Sequence, residues 1–104
     1  MSSRLETFRA LVAKSPNNAV ARFGLANEAM KEGLYEEAVE QLRAYLGMHD
    51  DEGNAYGRLA EALANLGRTE EAKSALRKGI EASNRHGHPG MASDFAMRLE
   101  EMRG

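Results

Sequence analysis

The 104 residues contain no cysteine and no tryptophan, and only two prolines, Pro16 and Pro89. Without cysteine, disulfides, thiolate catalysis and cysteine-held zinc are all excluded. Scarce proline together with abundant Ala, Glu, Leu and Arg points to helix. No apolar run approaches the roughly 18 residues that would cross a bilayer. The opening "MSSRLETF" does not read as a signal peptide, so a cytoplasmic location and no membrane contact are expected. Surplus positive charge is missing as well: 14 Lys and Arg stand against 16 Asp and Glu, a formal net charge of −2. Phosphate neutralisation supplies most of the affinity for nucleic acid, so nucleic acid is not an expected partner, although a local basic patch stays open.

What is present is one domain's worth of chain written in helical code. Leu5, Phe8, Leu11 and Val12 share one face of a first helix, with Ser3 and Glu6 spaced as a capping box and Pro16 at its end. A second helix follows, capped by Asn17 or Asn18 and stopped by Gly33. "YEEAVEQLRAYLGM" predicts a third, with Glu36 and Glu37 where the helix dipole favours negative charge. An Asp-capped fourth helix ends at Gly67. A fifth begins near Thr69, a candidate cap, and "NRHGHPG" separates it from a sixth carrying Met91, Phe95, Leu99 and Met102 at helical spacing. No stretch alternates convincingly enough for a strand.

Two phrases reveal the organisation. "GLYEEAVEQL" at residues 33–42 returns as "GRTEEAKSAL" at residues 67–76, a period of 34. Each predicts a tight turn and the start of the second helix of an antiparallel pair, with Ala38 and Ala72 small where two helix backbones approach. Leu42 and Leu76 are the matching large core residues. A two-helix unit cannot bury both its faces alone, so such units stack.

In this pattern the chain resembles the tetratricopeptide repeat family. One unit beginning at Gly53 carries Tyr56, Leu59, Ala60, Gly67, Ala72 and Leu76 at the family's signature places, with Leu63 and Gly79 as variants. Another beginning at Ala19 carries Leu25, Ala26, Gly33, Tyr35, Ala38 and Leu42. It departs from the pattern with Arg22 in place of a bulky residue, Ala29 in place of tyrosine and Tyr45 in place of alanine. The resemblance implies an all-α, right-handed α-solenoid of antiparallel helix hairpins: two full units flanked by half-repeats, about six helices as one domain. Residues 1–16 would be an N-terminal half-repeat helix, 19–52 and 53–86 the two units, and 87–104 a C-terminal capping helix.

The family's members are protein-binding modules whose first helices line a concave groove. Carried over, the groove residues would be Val20, Phe23, Gly24, Asn27, Met30 and Lys31, then Asn54, Gly57, Arg58, Glu61, Ala64 and Asn65. Phe23, Asn27 and Met30 share a helical face, as do Arg58, Glu61 and Asn65. The Asn27 and Asn65 amides suit an extended peptide backbone, since each both donates and accepts; the plain alternative is solvated surface. Phe23 either anchors a partner or turns inward to replace the bulk missing at Arg22. Gly24 and Gly57 imply either a close partner or tight helix contact. Family members that clamp a chaperone's C-terminal carboxylate need a lysine where Phe23 stands, so that activity is not expected.

Chemistry of other kinds has little footing. His86 and His88 flank Gly87, and His49 precedes Asp50 and Asp51, but no further metal ligands are evident and no metal or cofactor is expected. No nucleophile–base arrangement and no phosphate-cradling glycine loop can be argued. The expected function is a non-enzymatic adaptor for another protein or peptide. Self-association through the last helix, as a homodimer, is the alternative.

Overall fold

Helices alternate with turns too short to hold anything else: α1 (Ser3–Lys14), α2 (Ala19–Lys31), α3 (Tyr35–Met48), α4 (Asn54–Asn65), α5 (Thr69–Arg85) and α6 (Pro89–Glu101). The computed structural model describes residues 3–103, the Ser3 side chain excepted, and no strand occurs among them. The capping box expected of Ser3 and Glu6 turns on that side chain and so lies outside the described residues.

Gly33, Gly67 and Gly87 end α2, α4 and α5 with φ of 74°, 75° and 77°. That left-handed backbone closes a double hydrogen bond onto the last turn. Leu34 N donates to Ala29 O at 2.9 Å and Gly33 N to Met30 O at 3.1 Å. Arg68 and Gly67 repeat the arrangement on Leu63 and Ala64, and His88 and Gly87 on Ser83 and Asn84. The residue after each glycine also occupies the cap position of the next helix. Thr69 is therefore not the cap of α5, as the sequence suggested, but its first residue. The turn has no room for another position; Glu70 and Glu71 complement the helix dipole instead.

The other starts use side chains. Asn18 Oδ1 accepts from Ala21 N at 3.1 Å. Asp51 Oδ2 accepts from both Gly53 N and Ala55 N at 2.8 Å, capping α4 from outside the cap position.

The chain divides into two compact units, residues 1–50 and 51–104. In the first, α1 packs on α2 and α2 on α3. Leu5, Val12, Leu25, Ala26, Ala29, Ala38, Val39 and Leu42 are buried there. Leu11 departs from the expected apolar face and is 43% exposed. It is rotated roughly 100° about the helix axis from Val12, outside the covered stripe. In the second unit, α5 packs on both α4 and α6. Leu59, Leu63, Ala72, Leu76, Ala82, Ala92 and Phe95 are buried. Ala38 and Ala72 are wholly buried, as are Leu42 and Leu76, each leucine contributing about 2 kcal/mol by leaving water.

Candidate protein-binding faces

In the first unit the candidate residues lie along α2. Val20 is 79% exposed, Lys31 is exposed, and Phe23, Asn27 and Met30 are half-buried. Phe23 turns toward α3, where its ring meets Tyr45 at 4.9 Å between centroids, and Tyr45 meets His49 at 5.1 Å. Tyr45 and His49 were missed as candidates. Their spacing of four, from within α3 to its cap, was visible, but what brings Tyr45 to Phe23 is the pairing of α2 with α3.

Asn27 has an uncommitted amide: its Oδ1 is buried with no hydrogen-bond partner among the described residues. Lys31 is already engaged, its Nζ 3.2 Å from Glu28 Oε2. Arg4 Nε reaches the same oxygen at 3.2 Å, so a buried carboxylate carries two cations. The hydrogen bond from Lys31 is the main cause holding the Glu28 carboxyl below its ordinary range, against the opposing effect of burial.

Gly24 is not open to a partner. A Cβ there would run into the Phe8 ring of α1, and Arg4 lies over that ring at 5.9 Å. The second unit repeats the device. A Cβ on Gly57 would begin 2.7 Å from Phe95 Cε1, with Arg98 at 5.7 Å from the Phe95 ring centroid. Arg98 Nη2 also donates to Gly57 O at 3.2 Å. Both glycines thus serve tight helix contact.

On α4, Asn54, Glu61, Ala64 and Asn65 are exposed and Arg58 is half-buried. Asn65 spends one N–H on its own helix, donating to Glu61 O at 2.9 Å. The stripe of Met91, Phe95, Leu99 and Met102 faces inward: Phe95 is buried and the others half-covered.

Helical pairs with left-handed glycine stops, small residues at the close approach and a 34-residue return are together what one repeat family demands. A family model of the tetratricopeptide repeat matches residues 1–83. The chain belongs to the tetratricopeptide repeat family. Nothing among curated proteins matches it. The repeat's departures now have structural reasons. Arg22, where a bulky residue is usual, spans to α3 by donating from Nη1 to the buried Gln41 Oε1 at 3.0 Å. Its Nε donates to Pro16 O at 3.0 Å. Tyr45, where the repeat prefers alanine, supplies the ring that Phe23 meets at a tilt of 41°.

His88 Nε2 lies 3.1 Å from Glu52 Oε2, and no three His, Asp or Glu residues converge on a metal-sized site among the described residues. No helix among them is long and apolar enough to cross a membrane.

Proposed function

We propose that this tetratricopeptide repeat protein holds an extended peptide or a helix of another protein against the uncovered face of α2, with the uncovered face of α4 a candidate of its own in the second unit. Repeats of this family generally mediate protein–protein interaction and are typically not enzymes. The observation that carries the finer reading is the row Val20, Phe23, Asn27 and Met30. Asn27, whose buried Oδ1 makes no hydrogen bond, stands between apolar side chains that are left wholly or partly uncovered. Such a row offers a partner apolar contacts at either side of an amide that can serve it only as an N–H donor. On α4, Asn54, Arg58, Glu61 and Asn65 give the second unit a polar face.

A random peptide library selected on the purified chain provides the test, with binding mapped by amide chemical shifts. Expected are shifts concentrated on α2 and α4 and a roughly tenfold loss of affinity, about 1.4 kcal/mol, on Phe23→Ala or Asn27→Ala. Shifts confined to other helices, or unchanged affinity in both variants, would overturn the reading.

A further inference from the structure

Between Glu6 and Glu28 the chain carries no acidic residue, although acids outnumber bases over the whole sequence. That stretch, residues 7–27, holds Arg9, Lys14 and Arg22, and of these only Arg9 is paired with carboxylates among the described residues. In its middle α1 gives way to α2 through Ser15, Pro16, Asn17 and Asn18, all exposed. Ser15 N donates to Leu11 O at 2.8 Å, and Ser15 O accepts from Asn18 N at 3.0 Å, closing a four-residue turn with proline at its second place. The Ser15 backbone is thus already used, while its hydroxyl makes no hydrogen bond among the described residues. Of the serines and threonines described, Ser15 alone stands outside a helix.

We propose that Ser15 is a phosphorylation site, modified by a kinase that reads serine followed by proline, and that Arg22 receives the phosphate. In the transfer the γ-phosphoryl group of a nucleoside triphosphate bonds to Ser15 Oγ. Its bond to the β-phosphate oxygen breaks, the nucleoside diphosphate departs and the hydroxyl proton passes to solvent. A kinase takes its substrate segment extended. The exposed turn supplies that form by opening the one Ser15–Asn18 bond, whereas a hydroxyl within a helix needs the helix to unwind. Arg22 is placed to hold the product. Its Nε donates to Pro16 O, the carbonyl next in the chain after Ser15, at 3.0 Å, and its Nη1 to Gln41 Oε1 at 3.0 Å. Its Nη2 makes no hydrogen bond among the described residues, and Lys14 flanks Ser15 on the other side without an ion-pair partner there. A phosphate brings nearly two negative charges and three strong acceptors, which suit the guanidinium fork. It therefore draws Arg22 from Gln41, easing one tie between α2 and α3, and sets negative charge at the entry to α2. This site is independent of what the α2 face holds.

Incubation of the purified chain with a proline-directed serine kinase and ATP, followed by tandem mass spectrometry, tests the site. Expected are a single phosphoryl group on Ser15, none on Ser15→Ala, and incorporation slowed at least about tenfold in Pro16→Ala. Phosphorus NMR of the modified chain across pH then tests the receiver. The second ionisation of the phosphate, ordinarily at about 6, should fall about half a unit lower in wild type than in Arg22→Gln. Arg22→Lys, which keeps the charge, should recover part of that difference, with circular dichroism confirming that each variant stays helical. A folded chain left unmodified at Ser15, or modified as fast in Pro16→Ala, overturns the site. A midpoint that neither Arg22 variant moves overturns Arg22 as its receiver.

Discussion

The Phe95 ring is wedged between Gly57 and Gly79. Its Cε1 stands 2.7 Å from where a Cβ on Gly57 would begin, and its Cδ2 2.9 Å from the corresponding point on Gly79. The ring cannot turn away from one helix without striking the other. Gly57→Ala is therefore expected to destabilise the chain by about 1–3 kcal/mol through overpacking. That is a net loss despite the roughly 1 kcal/mol by which alanine improves a helix interior. Urea unfolding measures it, and a variant at least as stable as wild type would show that α6 yields freely.

Two other glycines should respond in opposite directions. Gly67 holds φ at 75°, so Gly67→Ala forces a side chain into left-handed backbone at a cost of about 1–2 kcal/mol. Gly47 lies inside α3 with nothing within 4 Å of a new Cβ, and Gly47→Ala should stabilise by about 0.5–1 kcal/mol. Thermal melts of the pair check both signs; shifts in the same direction would contradict the backbone reasoning.

Asp51 is buried and satisfies two amides at the start of α4. Asp51→Ala leaves both donors without that acceptor and should cost about 1–2 kcal/mol, with Asp51→Asn intermediate because its carbonyl oxygen still accepts. Hydrogen exchange at Gly53 and Ala55 should quicken in the alanine variant before global stability is lost.

Acid should weaken the chain through Glu28 and Glu37. The hydrogen bond from Lys31 foremost for Glu28, and that from Arg9 for Glu37, hold both carboxyls below their ordinary value of 4.5, against burial. Arg9 meets Glu37 with two bonds of 2.9 and 2.7 Å. A carboxyl whose folded pKa is lowered stabilises the fold fully above its unfolded pKa, and that stabilisation disappears as pH falls through the folded value. The urea midpoint is thus expected to drop as pH falls below the ordinary carboxyl value of 4.5. Combining Glu28→Gln with Glu37→Gln should flatten that slope; an unaltered slope would place the acid sensitivity elsewhere.

Asn27 separates stability from binding. Its Oδ1 is buried without a partner, so Asn27→Ala removes an unsatisfied acceptor and improves helix propensity. The expected gain is about 1 kcal/mol in the free chain, accompanied by weaker binding of any selected peptide. Loss of stability together with unchanged affinity would make the residue structural.

The sequence by itself determined the helices, their stops and their family, because these depend on neighbours along the chain. Glycines at Gly33 and Gly67 permit a left-handed turn wherever they stand, acidic residues favour a helix start, and Ala38 and Ala72 mark close approach by their size alone. Only the tertiary structure decided which candidate side chains face outward. Gly24 and Gly57 admitted either a close partner or tight helix contact until Phe8 and Phe95 from other helices filled them. Phe23 found its orientation in Tyr45, and Lys31 was engaged by Glu28. Spacing within a helix places a residue on a face, but what covers that face comes from a helix elsewhere in the chain, and no local pattern encodes that contact.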